Sequence, residues 1–383
     1  MDAHSCGKNE RGGIEDESMN ILIVAGSRGS MSQLRPEHES FIGIANKGHD
    51  VTIVIEPDSV YTPRLKELGI RLLHCWPTKK ICRKTIRTLR KELSSLHYDI
   101  IYATSSKTIP NAAFAAIGFP AKVIAYRGTT GGLYRHDPSA YLTILHPRVD
   151  GVICVSEAVR QDVLKRVWNN RDKVVTIHKG HDLGWYQASP ADLSEFGIAP
   201  GDFVIICAVN ARPSKGIEVM LDAANTLAAH DNIHLLLAGL NMDKEPYTSL
   251  IAGNKMRGRI HTAGFRQDAP ELIAASDVLV QPSISGEGLP RAVMEAISYG
   301  TPVVATDTGG GKEVIEDGVT GFIVPVREPQ AIADRVEKLY ASPEFAQQMA
   351  KQSRRHLETD FSSTGTVEKF IDFFESLLDR NSG

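Results

Sequence analysis

Two doubly wound α/β domains facing each other across a cleft are the fold class this sequence predicts, on three observations. The chain has 383 residues, more than one ordinary hydrophobic core organises. Short, wholly apolar runs recur along it, as expected of parallel strands buried on both faces. The runs fall into two series, with helix-length segments between most of them, and a stretch rich in Gly, Pro and Ser separates the series.

The first series begins at MNILIVAG (19–26) and continues through DVTIVIE, IRLLHCW, YDIIYAT, KVIAYRG, DGVICVS and KVVTIHKG. The pattern loosens around 182–200, in DLGWYQASPADLSEFGIAPGD, where no long apolar run survives. A second series follows: FVIICAV, IHLLLAG, RIHTAG, DVLVQPS, TPVVATD and GFIVPV. Its helices are LDAANTLAAH, APELIAAS, RAVMEAISY and AIADRVEKLYAS. The closing segment TVEKFIDFFESLLD carries Val367, Phe370, Ile371, Phe374 and Leu378 at the spacing of one helical face. The expected division is a disordered tail over 1–18, one domain over 19–185, a second over 200–358 and a terminal helix over 359–383. Ligands of such sheets bind at the carboxyl ends of the strands, so the cleft between the domains is the expected site.

Composition narrows the function. Net charge is -3 and charged residues make up 23% of the chain, so nothing draws it to nucleic acid as a whole. The five cysteines form no C-x-x-C, which argues against a disulfide framework and a zinc site and fits a reducing, cytoplasmic compartment. The first 18 residues lack the apolar core of a signal peptide, and Met19 is a candidate for the real start. No run of about 18 apolar residues spans a membrane.

The chemistry concentrates in two stretches. NARPSKG (210–216) follows the strand FVIICAV and precedes a helix, placing Arg212 and Lys215 at a strand's carboxyl end. A guanidinium forks onto phosphate oxygens and an ammonium adds a point charge. Each such charge-assisted bond contributes about 1.5–3 kcal/mol, against about 0–1 kcal/mol for an exposed salt bridge. A solvated basic turn is the plainer reading of the loop taken alone. GEGLPRAVMEA (286–296) carries Glu287 and Glu295. Gly286, Gly288 and Pro290 keep Glu287 out of a helix, whereas Pro290 suits the first helical position and Glu295 lies inside the helix that follows. The free N–H groups at that helix start, beside Gly288, Leu289, Pro290 and Arg291, form an anion site. Glu295 is placed to accept hydrogen bonds from a ribose and Glu287 to face the group attached to the phosphate. The two carboxylates therefore grip different parts of one ligand, unlike a hydrolase pair flanking one bond. Taken singly, each is equally well a loop or surface carboxylate.

From about Val204 to Val326 the sequence resembles the C-terminal domain of the retaining glycosyltransferases of family 4, which have the GT-B fold. NARPSKG, SISGEGLPRAVMEAISYGTPVVATDTGGGKEVI and DGVTGFIVP carry the resemblance, with Glu287 and Glu295 matching the family's E-x7-E pair. The first half is similar more loosely, through GVICVSEAVRQDVLK and IHKGHDLGWY. The resemblance implies transfer of a sugar from a nucleotide diphosphate sugar to a glycan or lipid-linked acceptor, with retention, in synthesis of cell-envelope polysaccharide or lipopolysaccharide. It implies an acceptor-binding first domain, a donor-binding second domain and a last helix that crosses back onto the first. It also implies that the leaving phosphate takes the acceptor's proton, that Arg212 and Lys215 stabilise the departing diphosphate, that Glu287 orients the sugar and that Glu295 holds the ribose. No D-x-D accompanies these motifs, so no metal is called for.

Three regions of the first half remain. The loop GSRGSMSQ (26–33) offers Gly29 for close approach to the donor, though a plain strand-to-helix turn reads the same way. AYRGTTGG (125–132) carries Arg127 where many family members have a histidine, so Arg127 is a candidate contact to donor sugar or acceptor, or else a structural partner of a carboxylate. TKKICRKTIRTLRKELSSL (78–96) has seven basic residues before its first acid. Its stripe Cys82, Ile86, Leu89, Leu93 and Leu96 suits packing on the sheet, and its charge suits the inner face of an anionic membrane through 79–96. The other histidines, His178 among them, read as core or surface residues. Two rival readings share the motifs: a nucleotide-sugar epimerase on the same fold, and a non-catalytic nucleotide-sugar-binding protein.

Overall fold

The computed structural model describes residues 18–26, 28–168 and 170–378. The expected tail over 1–18, apart from Ser18, and residue Ser27 of the first loop lie outside the described residues. The first sheet contains β1 (Asn20–Val24), β2 (Asp50–Val54), β3 (Arg71–Leu73), β4 (Ile100–Ala103), β5 (Lys122–Arg127), β6 (Gly151–Cys154) and β7 (Val174–Thr176). The second contains β8 (Phe203–Ala208), β9 (Ile233–Ala238), β10 (Ile260–Gly264), β11 (Val278–Gln281), β12 (Val303–Thr306) and β13 (Phe322–Val324). Every one of these strands falls within an apolar run named above.

The orders are β3-β2-β1-β4-β5-β6-β7 and β10-β9-β8-β11-β12-β13, with all neighbours parallel. Each order reverses once, at β1/β4 and at β8/β11. That is the switch point where such sheets open a crevice at their carboxyl ends. The same device fastens both reversals: an aspartate just before the inserted strand accepts an N–H at the start of its neighbour. Asp99 Oδ2 takes Asn20 N at 2.8 Å, and Asp277 Oδ2 takes Val204 N at 2.7 Å.

The first domain carries α1 (Met31–Asn46), α2 (Thr62–Glu67), α3 (Arg83–Ser95), α4 (Thr108–Ala115) and α5 (Glu157–Leu164). Single 3-10 turns at Leu183–Trp185 and Leu193–Phe196 occupy the stretch between the sheets. The second domain carries α6 (Ile217–Leu227), α7 (Tyr247–Ala252), α8 (Ala269–Ala274), α9 (Arg291–Tyr299), α10 (Gly311–Val314) and α11 (Pro329–Ala341). Two helices close the chain, α12 (Pro343–Asp360) and α13 (Ser363–Leu378).

Helix α13 packs on the first domain. Its buried Val367, Phe370, Phe373, Phe374 and Leu377 share one core with Phe41 of α1 and Tyr102 of β4. Phe373 and Leu377 belong to the buried face, and Ile371 and Leu378 sit only partly against it, so that face is broader than the pattern of the sequence alone. Helix α12 is absent from the pattern because it is mostly polar: Met349, Ser353 and Leu357 are its buried residues.

The basic helix α3 differs from the expected stripe. It buries Thr85, Leu89 and Leu93 and packs on α4, while Leu96 caps it in the open and Cys82 precedes its first turn. Arg90 is spent on structure, donating to the carbonyls of Ala115 and Ile117 at 3.0 and 2.8 Å. Lys79, Lys80, Lys84, Arg87 and Lys91 remain exposed.

Candidate functional site

A cavity of about 220 Å³ opens where the carboxyl ends of the two sheets meet. Ser30, Ser32 and Gln33 line it from the first domain, and Arg212, Lys215, Gln281, Glu287, Pro290, Arg291 and Glu295 from the second.

The basic loop reaches this point because it is folded tightly on its neighbour. Pro213–Lys215 makes one 3-10 turn after β8, and Gly216 follows with φ 65°. A Cβ on Gly216 would lie 2.0 Å from the carbonyl oxygen of Pro282, just past β11. Only glycine fits both the left-handed backbone and that approach. The result sets Lys215 Nζ 2.5 Å from Glu287 Oε1. The same oxygen accepts Ser283 Oγ at 2.5 Å and Gln281 Nε2 at 3.1 Å. Glu287 is 6% exposed, and a buried carboxylate is tolerable only when paired and hydrogen-bonded in this way. All three donors fall on one oxygen, leaving Oε2 without a donor among the described residues. Arg212 is exposed at the rim and forms no ion pair among the described residues.

Helix α9 starts one residue later than the proline pattern suggests. Pro290 has ψ 113° and sits at the cap, so Arg291 opens the helix. The proline still has no N–H to lose, and its carbonyl accepts Val293 N and Met294 N at 3.1 and 3.3 Å. The N–H groups of Arg291 and Ala292 have no carbonyl partner within the helix, and both residues line the cavity. Gly288 is where the two domains touch: a Cβ there would lie 2.0 Å from the carbonyl oxygen of Gly128. Leu289 packs partly against the apolar cores of both domains.

Glu295 is not a surface carboxylate; it is 3% exposed. Burial pushes its pKa up to about 7, with Arg291 pulling it down and Glu271 pushing it up. The Arg291 Nε lies 3.3 Å from Glu295 Oε1. Tyr186, from the stretch joining the domains, stacks edge-on against Tyr299 at 5.4 Å and so braces the far end of α9.

Two family models match successive parts of the chain. Residues 42–185 match Glycosyltransferase Family 4, and residues 189–356 match Glycosyl transferases group 1. Together the two matches take in both domains: the chain is a glycosyltransferase of the GT-B type, similar to family 4. The glycosyltransferase is similar to EpsD of Bacillus subtilis, 30% identical over 189 residues that are 49% of each chain. It is 22% identical to the UDP-Gal:alpha-D-GlcNAc-diphosphoundecaprenol alpha-1,3-galactosyltransferase of Escherichia coli, over 89% of this chain and 92% of that one. It thus spans about half the first relative and nearly all of the second. Among solved structures, Anabaena HepE in complex with UDP superposes with a TM-score of 0.75 at 22% identity, over 94% of this chain and all of that one. That likeness is one of fold.

The glycosyltransferase contains wall residues that the motifs do not reveal. Ser30, Ser32 and Gln33 enter through the S-x-x-Q capping box that starts α1: Ser30 Oγ accepts Gln33 N, and Gln33 Oε1 accepts Ser30 N. That spacing is legible in a sequence. Gly29 is the residue before the box, with φ 148°, and a Cβ there would meet Gln33 Oε1 at 2.6 Å and push that side chain out of the box. Phe265, Arg266 and Gln267 line the opposite wall after β10. Arg266 is held there by Glu195 and Asp268. The carboxyl-end rule applied to β10 would have found them. Glu271, which acts on Glu295 from behind the wall and whose buried Oε2 has no hydrogen-bond partner among the described residues, has no signal in the sequence. Arg127 is turned onto its own loop: its guanidinium donates to the carbonyls of Thr129 and Gly131, and Asp162 accepts Gly131 N nearby. It does not line the cavity.

Proposed function

We propose that this glycosyltransferase moves a sugar from a nucleotide diphosphate sugar to a glycan or lipid-linked acceptor, with retention of anomeric configuration. One observation carries the reading: Lys215 bonded to a buried Glu287, the open first turn of α9 and the buried Glu295 converge on one cavity. In this reading the diphosphate lies against the N–H groups of α9, with Arg212 and Lys215 beside it. These preorganised donors stabilise the negative charge that grows as the sugar–phosphate bond breaks. The departing phosphate takes the acceptor's proton, and no metal is called on. Glu287 orients the sugar through the oxygen its protein donors leave free, and Glu295 accepts the ribose hydroxyls. The UDP in HepE and the UDP-Gal and diphosphoundecaprenol in the name of the Escherichia coli relative support this donor and acceptor class. We extend the proposal to cell-envelope polysaccharide or lipopolysaccharide synthesis, which the diphosphoundecaprenol in that relative's name supports.

Thermal stability against UDP, GDP, ADP and their sugars tests the reading. The matching nucleotide, at about 100 times its dissociation constant, stabilises by about 2.7 kcal/mol. The shift shrinks in Glu295→Ala, and stability unchanged by every nucleotide would refute the donor site. Affinity also depends on pH with a defined sign. The free Glu295 carboxyl is protonated below about 7. Ribose hydroxyls donate to the carboxylate, so binding favours its ionised form and tightens as pH rises through that value. Calorimetry between about pH 5.5 and about pH 8 should show up to about tenfold weakening per unit below the pKa. Glu295→Gln removes that component and leaves only the titration of the nucleotide itself. An identical profile in both proteins would sink the ribose assignment.

The exposed bases of α3 and the residues before it suit an anionic membrane that would present a lipid-linked acceptor. No helix among the described residues is long and apolar enough to cross a membrane. Reversing Lys84, Arg87 and Lys91 to Glu should abolish sedimentation with phosphatidylglycerol vesicles and leave nucleotide affinity unchanged. Equal sedimentation of both proteins would remove this part of the reading.

A further inference from the structure

The seam between the two domains contains a carboxylate with no place in the transfer chemistry above. Glu313 lies on α10 of the second domain, yet its partners all belong to the first. Its Oε2 accepts Glu157 N at 2.8 Å and His178 Nε2 at 2.8 Å, and its Oε1 accepts Ala158 N at 2.9 Å. Glu157 and Ala158 open α5, whose cap Ser156 already serves Val159 N. A side chain from the other domain therefore completes the capping of α5 and meets the positive end of its dipole. Burial opposes the charge, but the His178 bond and the two backbone N–H groups outweigh it and hold the Glu313 pKa below the usual carboxylate value.

The turn leading to α10 is wedged between that helix start and the donor loop. A Cβ on Gly310 would lie 1.6 Å from the carbonyl oxygen of Gly288 and 3.1 Å from Ser156 Cβ. A Cβ on Gly309 would lie 2.6 Å from the carbonyl oxygen of Glu287 and 3.6 Å from Ala158 Cβ. The backbone of Glu287 and Gly288 thus rests on a turn whose own position is fixed by the Glu313 bonds to the first domain.

We propose that Glu313 is a positioning residue that couples closure of the two domains to the placement of the donor loop. Its bonds to α5 and His178 hold the Gly309–Gly310 turn against Glu287 and Gly288, and so set the transfer site against the first-domain wall at Ser30 and Gln33. The inference rests on the donor reading for what the site does, and on the seam geometry alone for the latch.

Glu313→Ala and Glu313→Gln, each compared with wild type, test it; the amide is isosteric and keeps one acceptor oxygen should the alanine variant fail to fold. Residue-resolved hydrogen exchange with saturating UDP should show the Glu157 and Ala158 amides protected in wild type and exchanging at least about tenfold faster in Glu313→Ala, with Glu313→Gln between. UDP affinity, set by groups Glu313 does not touch, should stay within about twofold. Turnover of the UDP sugar, read as UDP release, should fall at least about tenfold with donor KM within about twofold. Unprotected amides in the UDP-bound wild type, or equal exchange in wild type and both variants, would overturn the latch. Faster exchange with unchanged turnover would overturn the positioning role. A wild type that binds no UDP but shows the exchange difference would refute a UDP donor and leave the latch standing.

Discussion

Lys215→Ala should lower turnover by about 10²–10³-fold, the usual effect of removing one preorganised donor from a site where charge develops. The loss has two sources. The departing diphosphate loses a cation, and Glu287 loses the ammonium that lies 2.5 Å from its Oε1. Ser283 and Gln281 still donate to that oxygen, so Glu287 keeps its place but gains repulsion toward an anionic donor. Nucleotide affinity should therefore also weaken, while Lys215→Arg, with its charge retained on a fork of different shape, falls between the two. Steady-state kinetics and calorimetry on the three proteins check this. Turnover of Lys215→Ala within a few-fold of wild type would remove Lys215 from the mechanism.

Phe374→Ala should cost about 3–5 kcal/mol of stability, the range for deleting a fully buried aromatic. The ring is 0% exposed and lies 5.7 Å from the ring of Phe370 and 6.2 Å from that of Tyr102. Those partners belong to the first domain's core. A urea titration followed by domain-resolved probes should show the first-domain transition moving to lower denaturant and the second-domain transition staying in place. Equal shifts in both would mean that the domains unfold as one unit, and no shift would mean that α13 is not held by this ring.

How much of the molecule the sequence discloses follows from the physics of each part. The strands are legible because parallel strands covered on both faces must be apolar at every position, as in β1, where Ile21 to Val24 are all fully buried. Helix α12 is not, because three buried residues in eighteen leave no face to read. Arg212, Lys215 and Glu287 are legible because the loops bearing them follow strands directly, and Glu295 because the proline before its helix shows where that helix starts. Glu313 is not, since its meaning lies in residues 135 positions or more away on another domain. His178 fails for the same reason: it reads as an isolated histidine until the fold sets it against Glu313. Arg127 shows the converse, a residue conspicuous in the sequence whose guanidinium is occupied by its own loop.

The place of α13 also bears on how the molecule comes into being. A ribosome delivers the first sheet early, but Phe41 and Tyr102 on one of its faces are covered by side chains from 367–377. The second sheet, encoded between them without interruption, can close as soon as it emerges. The nascent first domain must therefore wait, with one apolar face uncovered, until residues 367–377 have emerged. The half translated first is the half finished last, and during that interval it is the part of the chain most in need of a chaperone.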